Sequence, residues 1–292
     1  MLEAGFGDGT FLEHLACTRP GWNILGADVS RGSVSRAYRR LRRAGAHHVR
    51  LFHGKAEFLV RNFIPNSGLL RLYVNFPDPW PKHRHRDRRL LKVAFLELLS
   101  TRLSAGGSLH LTTDSQRYFE EVLKSAEDTG LYEASFLVPP EAALRTKYAH
   151  KWSAANRPIH HARLTKVATH PDGFPPTVTR IAMHHALLTG TLPLLSAFDP
   201  FRRSFSMGQV VVTGALKRIG DPGLLFEARV EESDLTQDIL VEARPARTAS
   251  ADVLVSVSRF GQPLATRGTR EAVKAVSEWL HGHGMQTAET YF

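Results

Sequence analysis

Two short stretches hold most of the residues able to do chemistry. The first is Asn75-Phe76-Pro77-Asp78-Pro79-Trp80-Pro81-Lys82-His83-Arg84-His85-Arg86-Asp87-Arg88-Arg89. Pro77 and Pro79 fix φ on both sides of Asp78, which presents that carboxylate and the Trp80 ring in a set geometry. A dense basic run follows immediately. The second is Glu3-Ala4-Gly5-Phe6-Gly7-Asp8-Gly9-Thr10, where closely spaced glycines allow a tight turn and let a ligand approach the backbone. Read without context, the glycine loop is also compatible with a plain structural turn.

The spacing of that loop is Gly-x-Gly-x-Gly, with an acid two positions before the first glycine. Dinucleotide sites carry Gly-x-Gly-x-x-Gly, so S-adenosylmethionine is favoured over a nicotinamide cofactor. Asp28 closes the next expected strand, where a carboxylate can accept hydrogen bonds from both ribose hydroxyls. Glu3, at the base of the loop, is placed to help position the methionine part of the cofactor.

These residues need elements to hold them. Short apolar runs alternate with amphipathic segments as far as Thr129, the pattern of βα units in a parallel sheet. Strands are expected near Ile24–Val29, Val49–His53, Leu70–Asn75 and Ser108–Thr112, and helices over Thr10–Thr18, Ser33–Ala44, Ala56–Phe63, Arg89–Leu103 and Ser115–Thr129. Gly45, Gly106 and Gly130 stand where helices usually end. The fold class is α/β, a doubly wound sheet with its ligand crevice at the carboxyl ends of the strands. Leu2-Glu3-Ala4 supplies only the last few residues of the first strand, so further residues are expected upstream. A segment rich in proline and glycine at His170–Pro176 suggests a division into residues 1–169 and 170–292. The second part reads as a smaller α+β module with strands near Gly208–Lys217, Leu224–Glu231, Ile239–Ala243 and Val253–Phe260 and a helix from Thr269 to His281.

Composition narrows the class. The 292 residues are 42% apolar and 23% charged, enough for an ordinary buried core. Lysine and arginine outnumber acids 38 to 28, for a formal charge of +10, which favours a polyanionic partner. Cys17 is the single cysteine, so an intramolecular disulfide and a cysteine-rich zinc site are both excluded. The chain carries no long uncharged apolar run and no basic flank leading into an apolar stretch at its start, so no membrane partner and a cytoplasmic location are expected. Histidines at 83, 85, 160, 161, 184, 185, 281 and 283 lack the companions of a zinc site; no metal is expected, and they are read as solvated or RNA-facing. The arginines at 36, 39, 40, 42 and 43 form either a solvated helix face or an RNA contact.

The strip from Phe76 to Lys82, together with Gly5-Phe6-Gly7, Thr112-Thr113-Asp114 and Thr146-Lys147-Tyr148, closely resembles the signature of bacterial tRNA (guanine-N7-)-methyltransferases. The similarity runs from Met1 to about Lys166, and the C-terminal extension is similar to that of extended forms of the family. The resemblance implies a Rossmann-like class I methyltransferase sheet and S-adenosylmethionine as cofactor. Asp78 would be the catalytic acid residue and would also contact the cofactor, which Glu3, Gly5, Gly7, Asp28 and the position of Lys55 would line. Lys82, Asp114, Thr146, Lys147, Tyr148 and Ala149 would hold substrate, and Arg84, Arg86, Arg88 and Arg89 would touch RNA. The partner implied is tRNA, methylated in its variable loop; the sequence leaves monomer and homodimer both open.

Two positions depart from the family's pattern. Lys55 stands where an aspartate is usual near the adenine amino group, and Ala149 where the Thr-Lys-(Phe/Tyr)-Glu motif ends in glutamate. Glu57, two residues beyond Lys55, is a candidate substitute, although at a helix start it would point elsewhere. An inactive tRNA-binding relative therefore stands as the alternative, beside a methyltransferase for another RNA or a small molecule. Trp80 or Tyr148 offers a surface on which a base could stack. Asp114 could instead cap the helix that follows.

Overall fold

In the computed structural model, which describes residues 1–80, 89–145, 158–178, 184–220, 222–247 and 250–292, the chain divides into two compact units, Met1–Pro175 and Pro176–Phe292.

The first unit is built on strands β1 (Leu2–Ala4), β2 (Ile24–Asp28), β3 (Val49–His53), β4 (Leu69–Asn75), β5 (Leu103–Thr113), β6 (Tyr132–Phe136) and β7 (His160–Lys166), in the order β3-β2-β1-β4-β5-β7-β6. The first five are parallel, and β7 joins β5 and β6 antiparallel. This is the doubly wound, Rossmann-like α/β sheet. Residue alternation assigns the two faces. Leu72 and Val74 pack with Leu59, Phe95 and Val122 of α3 (Ala56–Phe63), α4 (Val93–Arg102) and α5 (Gln116–Thr129). Tyr73, between them, packs with Phe11 and Leu41 of α1 (Thr10–Thr18) and α2 (Arg31–Arg43), together with α6 (Glu141–Leu144). A side-chain period of two along the strand produces this split.

Several boundaries differ from the expectation. Helix α2 begins at Arg31 because the Ser30 hydroxyl accepts from Ser33 N and caps it. Helix α4 begins only at Val93, since Lys92 is extended (φ −113°, ψ 164°). Gly106 lies inside β5 and ends no helix. The antiparallel pair β6 and β7 was not anticipated: β6 alternates apolar and polar residues but is mostly exposed and only five residues long, and β7 begins with two histidines.

The second unit is one antiparallel sheet of seven strands, ordered β14-β8-β13-β12-β11-β10-β9. They are β8 (His185–Thr189), β9 (Phe201–Phe205), β10 (Gly208–Lys217), β11 (Leu224–Glu232), β12 (Thr236–Pro245), β13 (Val253–Val257) and β14 (Gln286–Tyr291). Helix α7 (Arg267–Gly282) covers one face through Val273, Val276 and Leu280, against Val230, Val241 and Val255. Four strands were expected here. The three that were missed are β8, β9 and β14, of which β14 is exposed along its whole length and has no buried face to write into the sequence. Among the described residues no helix is long and apolar enough to cross a membrane.

Candidate active site

The glycine loop follows β1 directly, and Gly5, Gly7 and Gly9 all have positive φ (75°, 58° and 81°). Gly5 N donates to Ala27 O (2.8 Å), tying the loop to the end of β2. Asp28, the last residue of β2, accepts Gly7 N on one carboxylate oxygen (2.9 Å) and Ser30 N on the other (2.8 Å). Each oxygen keeps a second lone pair for a ligand hydroxyl. Gly9 is required for packing as well as for φ. A Cβ there would lie 2.7 Å from the Ala37 Cβ, so only glycine lets α1 and α2 approach as they do.

The cation that holds this loop is Arg40. It donates to Asp8 O and to the Asp8 carboxylate, both at 3.0 Å, and to Glu13 at 3.0 Å. Burial pushes the Asp8 carboxyl up, but hydrogen bonds from Thr10 and the Arg40 guanidinium outweigh it, leaving the group below its ordinary range. Arg40 therefore separates from the other arginines of α2: it is a clamp on the loop and no part of a solvated face. Its spacing in the sequence gives no sign of this, because both acids lie on another helix and its leading turn.

Glu3 is 2% exposed. The Asn75 side-chain amide donates to its Oε1 (3.1 Å), while Oε2 is buried with no hydrogen-bond partner among the described residues. Burial pushes the Glu3 carboxyl up to about 8; the Asn75 bond opposes the shift, and the charges of Asp28 and Asp8 add to it. A buried oxygen left without a donor, beside three glycines that bare the backbone, fits the cationic methionine part of S-adenosylmethionine.

The proline strip leaves the sheet sharply. Phe76 is left-handed (φ 49°) with its N–H on Thr112 O (2.7 Å), and Trp80 is left-handed too (φ 40°). Non-glycine residues in this region cost on the order of 1–2 kcal/mol each, and such strain gathers at functional sites. Asp78, between them, is exposed, and Trp80 is half-buried.

Arg89 corrects one expectation. Its side chain is 6% exposed and its guanidinium donates to Pro79 O (2.8 Å) and Trp80 O (2.9 Å) and to Glu121. Five donors in a rigid fork suit it to gripping several acceptors at once. It braces the strip from beneath and does not present its charge to RNA phosphates. Lys82, Arg84, Arg86, Arg88, Thr146, Lys147, Tyr148 and Ala149 lie outside the described residues.

Asp114 follows β5, half-buried, and the cap of α5 is Ser115, whose side chain accepts from Tyr118 N (3.3 Å). Asp114 is thus not the capping residue. Lys55 is an exposed residue at the head of α3, its carbonyl accepting Leu59 N (3.2 Å). The histidines do not all face solvent. His161 is buried and bonded to Thr112 Oγ1 (3.0 Å), and His184 is buried as well. Among the described residues no group of three or more His, Cys, Asp or Glu is gathered to hold a metal.

The comparisons agree with this geometry. A family model described as "Putative methyltransferase" matches residues 1–162. The chain is 46% identical over 291 residues to a tRNA (guanine-N(7)-)-methyltransferase of Thermus thermophilus, covering 100% of this chain and 92% of that one. It is 40% identical over 296 residues to the enzyme of the same name from Deinococcus radiodurans, covering 97% and 89%. That of Halorhodospira halophila is 36% identical over 165 residues, 55% of this chain and 71% of that one. Likeness to the first two runs through the second unit as well as the first, and the chain belongs to the tRNA (guanine-N(7)-)-methyltransferase family.

Proposed function

We propose that this chain methylates N7 of a guanosine in tRNA with S-adenosylmethionine. The observation that carries the reading is the buried bond between Asn75 and Glu3. It joins the strand ending in the glycine loop to the strand ending in the strip that presents Asp78, so the two motifs share one crevice edge. Bound there, S-adenosylmethionine supplies an electrophilic methyl group on a sulfonium.

The chain's residues divide the remaining work. Glu3, Gly5, Gly7 and Asp28 would bind the cofactor, with Lys55 at the head of α3 toward its adenine. Guanine N7 is an acceptor that carries no proton, so no strong base is needed. Asp78 would accept hydrogen bonds from guanine N1 and its amino group, aligning the base and favouring the cationic product. Asp114 would lie along the substrate, as would Lys82 and Thr146, Lys147, Tyr148 and Ala149, while Arg84, Arg86 and Arg88 would meet its phosphates. Trp80 offers a face for the base. The target would lie in the variable loop, and the working unit would be a monomer or homodimer.

Incubation of the purified chain with unmodified tRNA and labelled S-adenosylmethionine, followed by mass spectrometry of the nucleosides, tests the reading. Labelled 7-methylguanosine is expected. Its absence with cofactor binding intact would point to another methyl acceptor, and absence of both to an inactive tRNA-binding relative.

A further inference from the structure

The geometry points to a second tRNA-binding site on the outer edge of the first unit, in the groove between α2 and the edge strand β3. This goes beyond the methyl-transfer crevice and rests on the reading of tRNA as the partner. Between Asp28 and Glu57 the sequence contains seven arginines and one lysine and no acid at all. Arg36, Arg39, Arg42 and Arg43 are exposed and stand three or four residues apart, where like charges repel. Arg40 finds carboxylates on α1 and its leading turn. The bonds of its neighbours go to uncharged acceptors: Arg36 to Ser33 Oγ, Arg39 to Ser35 O, Arg42 to Tyr38 OH, and Arg50 to the carbonyls of His47 and Val49. A favourable helix dipole accounts for Arg42 and Arg43 in the last turn, but not for Arg36, Arg39 or Arg50.

The same face holds a groove of about 570 Å³. Its floor includes Leu41 and Val49, and its rim includes Tyr38, Arg42, His47 and Arg50. Tyr38 is 55% exposed, with the Arg42 guanidinium 5.9 Å from its ring centroid. An exposed aromatic on an apolar floor, beside guanidinium groups with no carboxylate partner among the described residues, has the makeup of a single-stranded nucleotide site: phosphates on the cations and a base on the ring. The groove runs along α2 from Val34 to Arg42 and over the first residues of β3, whereas the crevice lies at the carboxyl ends of the strands. The thirteen residues of α2 span about 20 Å, so an RNA of tRNA size can reach both.

The test measures binding of unmodified tRNA to the full chain by fluorescence anisotropy across a salt series. Each phosphate contact adds about 0.7–0.9 to the slope of log affinity against log salt. The double variant Arg42→Ala/Arg50→Ala should flatten that slope by about 1.4–1.8, and Arg42→Lys/Arg50→Lys should restore most of it. Tyr38→Ala should weaken binding about fivefold or more, as expected for a lost base stack, while Tyr38→Phe stays within about twofold because its ring remains. Affinity for S-adenosylmethionine should not change in any of them. Variants that bind tRNA with wild-type affinity and slope overturn the site, and so does a loss that the lysine pair fails to restore. A wild-type chain that shows the predicted slopes but forms no 7-methylguanosine sinks the methyl-transfer reading and leaves the groove standing. One that methylates while the variants bind normally sinks the groove alone.

Discussion

Asn75 donates to Glu3 at 3.1 Å, and this one bond couples the protonation of Glu3, at the base of the glycine loop, to the strand that leads into the Asp78 strip. With its carboxyl raised to about 8, Glu3 holds a proton at neutral pH in the free protein. A cationic ligand favours the ionised form, so cofactor binding should expel that proton. Affinity for S-adenosylmethionine should rise as pH goes from about 6 to about 8 and level off above. Calorimetry in buffers of different ionisation enthalpy should register the release at pH 7. A pH-independent affinity with no proton release would refute the linkage, and Glu3→Gln should produce that flat profile at reduced affinity.

The same carboxyl has a consequence for stability, with the sign set by its direction. Below its ordinary value of 4.5 both folded and unfolded chains hold the proton, and no penalty exists. Between 4.5 and about 8 the unfolded chain releases it and the folded chain does not, so the ligand-free protein loses stability with rising pH. Glu3→Gln should therefore stabilise the ligand-free protein in urea unfolding at pH 8 and change little at pH 4.5. The gain is on the order of a few kcal/mol. Equal effects at both pH values would count against it.

Asp78 is exposed, so its replacement should leave the melting temperature unchanged while removing the hydrogen bonds proposed for it to the base. Asp78→Asn keeps the shape but exchanges acceptor oxygen for donor nitrogen. It should lower kcat for 7-methylguanosine formation about 10²–10³-fold, the scale seen when one preorganised polar group is removed. A folded variant with near-normal turnover would remove Asp78 from the mechanism.

Arg89 is expected to matter through the strip it braces. Arg89→Lys retains a charge but cannot reach both carbonyls and Glu121 from one ammonium. Two partly buried carbonyls would lose a donor, at a cost of about 1–3 kcal/mol. Unfolding in urea measures that loss, and kcat should fall with it because Pro79 and Trp80 flank Asp78 closely. If lysine restores both stability and turnover, Arg89 acts only as a nearby charge.

Legibility divides along physical lines. The Gly-x-Gly-x-Gly turn and the prolines around Asp78 depend on local backbone geometry, and Asp28 on its place at the end of an apolar strand; short-range pattern is what residue types encode. Arg40, Arg89 and the Glu3–Asn75 bond depend on partners 9 to 72 residues away, and nothing in the local spacing distinguishes them from surface charges or a strand-end amide. Arg89 shows the cost of that blindness, since an arginine ending a basic run reads as part of it. The three strands missed in the second unit follow the same rule. A sheet edge such as β14 is chosen by the strand beside it, and its own residues carry no buried face.

Gly9 offers the sharpest separation of backbone strain from packing. Its φ of 81° alone costs an alanine about 1 kcal/mol, and the new Cβ would lie 2.7 Å from Ala37 Cβ and 2.9 Å from Ala37 Cα. Contacts that close force α1 away from α2, and the displacement passes into the loop because Gly9 O accepts Glu13 N at the first turn of α1 (2.9 Å). Gly9→Ala should therefore cost about 2–4 kcal/mol and weaken S-adenosylmethionine binding at least tenfold. Ala37→Gly alone should cost about 1 kcal/mol from helix propensity. In that background the nearer clash is gone but the approach to the Ala37 Cα and the left-handed φ remain. Introducing Gly9→Ala there should cost less than in the wild type, yet more than zero. A double-mutant cycle by urea unfolding measures the difference. Strict additivity would mean that the loop yields without touching α2, and the proposed route from helix packing to cofactor affinity would fail with it.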